Sequence, residues 1–209
     1  MSTGKLYIIS APSGAGKTSL VRQLIAEVDD LIVSISHTTR PIRPGEIHGE
    51  DYYFVSPIEF QSLLNKQELL EHASVFDNFY GTAKTTVETS LNQGLDVILE
   101  IDWQGAQQIK NIRPESLSIF ILPPSTDILE QRLQNRGQDD DHVIARRMRD
   151  AVTEMSHYEE FDYILVNDAF ERALTELKCI IIANRLTKDR QQHNLKDLIS
   201  ALLSSPESS

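Results

Sequence analysis

The chain has 209 residues, enough for one domain or for one core with inserted lobes, and ample to bury a core. Hydrophobic residues make up 40% and charged residues 24%, the balance of an ordinary globular protein. A net charge of −11 excludes general binding to nucleic acid or anionic membrane, because both need a basic face; phosphate recognition then has to come from locally placed arginines.

The first element is the apolar run Leu6-Tyr7-Ile8-Ile9, too short for a helix and read as a buried strand. It breaks into Ser10-Ala11-Pro12-Ser13-Gly14-Ala15-Gly16-Lys17-Thr18, and a helical pattern follows through Leu20, Val21, Leu24, Ile25 and Val28. Strand, glycine loop and helix N-terminus in that order make an anion cradle. The N–H groups freed by the first helical turn point into one concavity, and the helix dipole adds partial positive charge. Gly14 and Gly16 let the backbone bend inward, Lys17 can reach terminal phosphates, and the Thr18 hydroxyl can ligate Mg²⁺. This is the P-loop pattern with one departure: Ala11 stands where the first glycine is usual. An alanine is tolerated there if its φ is negative.

Leu31 to Ser36 reads as a second strand. Residues 37–46 are turn-rich, with two prolines and a glycine, yet carry Arg40 and Arg43. Asp51 to Val55 is a strand, and Ser56-Pro57-Ile58-Glu59 is a capping box that opens a helix to about Leu64. Glu68 to Phe76 and Asn78 to Gly81 form a strand pair, so a small β-rich insertion interrupts the core elements. Thr85 to Leu91 returns to helix and ends at Gly94. Val97 to Asp102 is a near-continuous apolar strand closed by Glu100 and Asp102, and ligands of open α/β sheets bind at such strand ends. Ala106 to Ile112 is a short helix, Leu117 to Leu122 a strand, and Pro123-Pro124-Ser125 caps the helix that leads to Arg136-Gly137. A helix with Arg146, Arg147 and Arg149 follows an acidic turn. Tyr163 to Val166 is the last core strand, Ala169 to Arg185 an amphipathic helix, and a final helix ends near Leu203 before a serine-rich tail expected to be disordered. Strands separated by helices predict an α/β fold with a parallel sheet flanked by helices on both faces.

Cys179 is the single cysteine, which excludes an internal disulfide, and its apolar run Cys179-Ile180-Ile181-Ile182 predicts a buried thiol. The six histidines show no metal-ligand spacing and read as structural or exposed. Neither a ~20-residue apolar span nor a signal-peptide core is present, so the chain reads as cytoplasmic, with no membrane partner. Monomer or homo-oligomer is left undecided.

A P-loop alone is shared by ATPases, GTPases and small kinases. A guanine-reading Asn-Lys-x-Asp segment of GTPases is absent. The segments from Ser36 to Glu46 (with Arg40, Arg43 and Glu46), from Gly49 to Val55, Phe79-Tyr80-Gly81-Thr82 and Glu100-Ile101-Asp102-Trp103-Gln104-Gly105 closely resemble the guanylate kinase family. Arg132 to Gly137 and Val166-Asn167-Asp168 extend the resemblance to roughly 4–185, leaving 186–209 as a C-terminal helix and tail outside it. It implies a P-loop NTPase core (4–36, 89–124 and 156–185), a β-rich GMP-binding lobe (37–88) and a helical lid (125–155).

The resemblance further implies transfer of the ATP γ-phosphoryl group to GMP, and to dGMP beside it, with Mg²⁺ as cofactor. ATP would be held by Ala11, Pro12, Ser13, Gly14, Ala15, Gly16, Lys17, Thr18 and Asn167. Arg40, Arg43, Tyr52 and Tyr80 would bind the GMP phosphate with Glu46 behind the arginines, and Ser36, Glu71 and Thr82 would read the guanine. Glu100, Asp102 and Gly105 would complete that site, the metal lying on Thr18 with Glu100 and Asp102 around its water shell. Lys17, Arg40, Arg136 and Arg147 would surround the transferring group. Read without the family, Tyr52 and Tyr80 are ordinary packing of a β lobe, Glu71 is a surface glutamate on a strand, and Arg136 and Arg147 are surface charges. Two rival classes share part of this set. A non-catalytic phosphopeptide-binding module would have a degraded P-loop, and a sugar-phosphate kinase would lack the guanine-reading residues.

Overall fold

The computed structural model describes residues 3–75, 77–135 and 141–204. Strand β1 (Leu6–Ser10) is buried along its whole length, because it lies in the middle of a five-stranded sheet and is covered on both faces. The sheet also contains β2 (Leu31–Val33), β7 (Asp96–Glu100), β8 (Leu117–Leu122) and β9 (Tyr163–Val166), in the order β2-β7-β1-β8-β9. Every pairing in it is parallel. Side-chain alternation in β1 feeds two cores. Tyr7 and Ile9 pack with helices α1 (Lys17–Glu27) and α7 (Phe170–Arg185). Leu6 and Ile8 pack on the other face with α3 (Lys84–Asn92) and α4 (Trp103–Ile112). This double burial is why β1 and β7 read as near-continuous apolar runs.

A second sheet holds β3 (His37–Thr38), β4 (Tyr53–Phe54), β5 (Leu69–Val75) and β6 (Asn78–Ala83) in the order β4-β3-β6-β5. Helix α2 (Pro57–Asn65) joins β4 to β5, and its capping box is complete: Ser56 and Glu59 bond each other's backbone N–H at 3.2 and 2.7 Å. Helices α5 (Thr126–Asn135) and α6 (Asp141–Ser156) form the segment expected as the lid.

Four expectations are corrected. The run from Leu31 to Ser36 is not one strand: it leaves the core sheet after Val33, and His37–Thr38 joins the second sheet instead. Helix α4 starts at Trp103 rather than Ala106, because Asp102 Oδ1 caps it by accepting from Gly105 N–H at 3.0 Å. The single C-terminal helix is two, α8 (Lys188–Asn194) and α9 (Lys196–Leu203), broken at Leu195. Cys179 is exposed, not buried. The buried face of α7 is Ala173, Leu174, Leu177 and Ile181, and a residue midway between the last two points away from it.

The end of α7 and the start of α8 are tied to the core through Asp96, which is 1% exposed. Its carboxylate accepts from Arg185 Nε at 2.8 Å, an Arg190 guanidinium nitrogen at 2.9 Å and Lys5 N–H at 2.7 Å. Removing one partner of a buried pair strands the other charges. Asp96→Ala is therefore expected to lower unfolding free energy by about 3 kcal/mol or more, read from the urea midpoint.

Candidate active site

The loop after β1 sits at the carboxyl edge of the parallel sheet, where the chain leaves β1 for the edge strand and returns to its neighbour. Gly14 and Gly16 both have φ of +92°, and Gly16 is the N-cap of α1. A side chain at Gly16 would also collide with Asn167 Nδ2. Ala11 is not among the positive-φ residues, so its methyl is unstrained, and it packs against the core beside β1. The unusual alanine thus leaves the cradle intact.

The loop is held from behind. Asn167, at the end of β9, donates Nδ2–H to the Ala15 carbonyl at 2.7 Å, and Arg132 on α5 donates to the Asn167 carbonyl at 3.1 Å. In the register, Ile9 lies opposite Glu100, so β7 delivers that carboxylate beside the loop. Thr18 Oγ1 donates to Glu100 Oε2 at 3.1 Å. Asp102 Oδ2 takes a Gln104 side-chain bond at 3.0 Å, so its two oxygens are both occupied in ordering the first turn of α4.

The second sheet carries a cationic group. Arg40 donates to Glu46 at 2.8 Å and to the Pro41 carbonyl at 2.8 Å, and it lies 5.5 and 5.6 Å from the ring centroids of Tyr52 and Phe54. The other oxygen of Glu46 accepts from Arg43 N–H at 2.8 Å, so one carboxylate fixes both arginine positions. Burial opposes the charges of this pair, but their mutual bonding prevails. It holds the Glu46 carboxyl below its ordinary range and keeps Arg40 protonated. The Tyr52 and Tyr80 rings meet edge to face at 6.0 Å. Burial and the Glu100 carboxylate push the Tyr52 phenol up to about 12, so it stays a donor.

Glu71 is 3% exposed, which removes the surface reading of this residue. Thr82 Oγ1 donates to its Oε1 at 2.7 Å. A Cβ at Gly105 would come 2.5 Å from Oε2, so only glycine lets α4 approach so closely. Burial raises the Glu71 carboxyl to about 7, opposed by Thr82 and Lys17 and assisted by Asp102. The guanine-reading set expected in the lobe and the catalytic set on the core are therefore within electrostatic reach of each other. Ser36 is buried at the junction, its carbonyl bonded by Tyr53 N–H at 2.9 Å.

The Arg43 side chain is exposed. Arg147 is half-buried on α6, and its neighbour Arg146 pairs with Asp77 at 3.5 Å. Arg136 lies outside the described residues. Arg132 and Trp103 lie inside segments that carry the family resemblance, but their contacts are not legible there: Arg132 bonds the Asn167 carbonyl, and Trp103 stacks on His157 at 3.6 Å. Glu154 on α6 carries no signal in the sequence and looks like an ordinary helix residue.

A P-loop on a parallel sheet, with a half-buried arginine and a buried carboxylate on a second sheet, defines a P-loop small-molecule kinase. The guanylate kinase family model matches residues 3–184, and the chain belongs to that family. It is 58% identical over 203 residues to a guanylate kinase of Methylococcus capsulatus, covering 97% of this chain and 100% of the relative. It is 55% identical over 205 residues to the Salmonella typhimurium guanylate kinase, covering 97% and 99%. The crystal structure of guanylate kinase from Anaplasma phagocytophilum superposes with a TM-score of 0.77 at 32% identity, covering 95% of this chain and 97% of that one.

The folded protein binds the Glu71 proton more tightly than the unfolded chain, whose glutamates titrate near 4.5. Its contribution to stability is complete below that value and is lost as pH rises through about 7. Glu71→Gln cannot ionise. Relative to wild type it should gain up to about 3 kcal/mol between about pH 5 and about pH 8, read from paired urea melts.

Proposed function

We infer that this chain is an ATP:GMP phosphotransferase, moving the γ-phosphoryl group of ATP to GMP to give ADP and GDP. Membership of the guanylate kinase family supports the reaction. The observation that carries the substrate reading is the buried Glu71–Thr82 pair facing Gly105. A carboxylate there accepts from the N1–H and the 2-amino group of guanine together, and adenine offers no such pair of donors. Leaving a buried acceptor unpaired can cost roughly 10⁴-fold in discrimination.

The division of labour follows the two sheets. Residues 4–36, 89–124 and 156–185 form the core, 37–88 the GMP lobe and 125–155 the lid, with ATP on the loop from Ala11 to Thr18 and against Asn167. Arg40 presents a forked donor to the GMP phosphate, with Arg43, Tyr52 and Tyr80 beside it, and Glu46 holds the arginines. Ser36 borders the base. Mg²⁺ fits the oxygen donors at Thr18 and Glu100, with Asp102 nearby. Among the described residues no cluster of three or more metal-ligating side chains exists, as suits an ion that takes most of its ligands from phosphates and water. When bound, the ion would neutralise charge on the phosphates.

The attacking group is a phosphate oxygen of GMP, already largely anionic near neutral pH, so no side chain has to remove a proton. Lys17 offsets charge on the transferring group, Arg147 and Arg136 of the lid approach it on closure, and exclusion of water protects it from hydrolysis. Among the described residues no helix is long and apolar enough to cross a membrane, and we place the protein in the cytoplasm with its nucleotides.

Lys17→Ala should lower kcat by about 10³-fold or more with an unchanged melting temperature, followed by coupled ADP release. The same assay with GMP, dGMP, AMP and ribose phosphate as acceptors tests the function. Strong preference for GMP is expected, and Glu71→Gln should reduce preference over AMP by about 10²-fold or more. Activity on ribose phosphate, or none on GMP, would reject the reading.

A further inference from the structure

Strand β5 lies at the open edge of the second sheet, bonded to β6 on one side only. Its side chains alternate, with Glu71 and Ala73 buried and His72 and Ser74 exposed. Its backbone alternates as well. In an antiparallel pair, every second residue turns both its N–H and its C=O away from the partner strand. His72, opposite Gly81, is such a residue, and both of its groups face α4 where an edge strand would leave them unpaired.

One side chain takes both. Gln108 of α4 accepts the His72 N–H through Oε1 at 3.1 Å and donates Nε2–H to the His72 carbonyl at 2.7 Å. Its other Nε2 hydrogen goes to the Gln104 carbonyl, one turn back along the helix, at 3.2 Å. Turning the amide over would set donor against donor and acceptor against acceptor, so its orientation is fixed by its partners. The amide stands where the peptide of a further strand would stand.

Its place on the strand matters. His72 follows Glu71, the buried carboxylate that accepts from Thr82 at 2.7 Å. Gly105 lies one turn before Gln108 and shares its face of α4. That face therefore meets Glu71 twice: bare backbone at Gly105 lies against Oε2, and Gln108 bonds the main chain beside it. The turn is itself pinned, since Asp102 caps it at the Gly105 N–H. A mere cover for the sheet edge could sit at any outward-facing residue of β5. This one sits next to the only ionisable residue that the strand buries. The two bonds are at the surface, so water can replace them and the strand does not need Gln108 to stay folded. What water cannot supply is a fixed spacing between α4 and β5.

We propose that Gln108 is a positioning residue for guanine selection: by bonding both backbone groups of His72 it holds the Glu71 carboxylate in register with the first turn of α4. The proposal deepens the ATP:GMP reading above and rests on it. Gln108 acts through the strand rather than on the nucleotide. Its loss loosens the acceptor that pairs with the N1–H and 2-amino group of guanine and leaves the phosphate loop untouched.

The test compares wild type, Gln108→Ala and Gln108→Met by steady-state kinetics, varying ATP, GMP and AMP separately, and by calorimetric titration with GMP. Methionine keeps the length of glutamine and lacks its amide. Both variants should raise the KM and the Kd for GMP by about 10-fold and lower the preference for GMP over AMP by about the same factor. The kcat at saturating GMP and the KM for ATP should stay within about twofold of wild type. A wild-type KM for GMP and a wild-type preference in Gln108→Met overturn the proposal, because the side chain then only fills space. An equal loss in kcat or in the KM for ATP also overturns it, because the residue then supports the enzyme as a whole. Should the alanine variant not fold, the methionine variant decides alone by the same criteria. Wild-type protein that leaves GMP unphosphorylated rejects the phosphotransferase reading itself, whereas normal wild-type turnover with unchanged variants rejects this proposal alone.

Discussion

Everything in this structure depends on the backbone loop between β1 and α1. It makes a turn bond of its own, Ala15 N–H to the Pro12 carbonyl at 3.1 Å, and the rest of its shape is imposed from outside. Asn167 imposes it by bonding the Ala15 carbonyl across 152 residues of chain. The glycines at φ +92° then adopt a conformation that side chains would oppose. Placing β1 at the centre of a parallel sheet, with β9 at one edge and β7 alongside, is what brings Asn167 and Glu100 to the same loop.

The electrostatics invert what the composition suggests. A chain with a net charge of −11 handles two anionic nucleotides, which is possible because its charges are sorted in space. Arg40 is anchored by Glu46 and lies near two aromatic rings, so its guanidinium is held in one place before any ligand binds. Burial pushes the Glu71 carboxyl up to about 7, opposed by the Thr82 hydroxyl. Arg22 of α1 pairs with Asp51 and Arg146 of α6 with Asp77, each through an exposed arginine.

The residues that were legible beforehand were those whose backbone role demands a particular residue type. The P-loop, the Ser56 capping box, and strands Leu117–Leu122 and Tyr163–Val166 all follow from local rules, and the structure has them. The exposure of Cys179 is not legible in the sequence, because an apolar run of four says nothing about which face of a helix it covers. The start of α4 is equally hidden, because an aspartate after a strand reads as a strand end or as a cap. Glu71 was assigned only through family resemblance; alternation along β5 places it inward, but nothing local shows that a helix with glycine at 105 covers it.

By itself the sequence determined the phosphate loop, the alternation of strands and helices, and the family, because these rest on residue types at fixed short spacings. Tertiary structure alone decided which polar residues meet. Asn167 and Arg132 behind the loop and Trp103 on His157 are pairings separated by tens of residues or more. Their contact energies exist only once the sheet order has closed the distance, so no local pattern could record them.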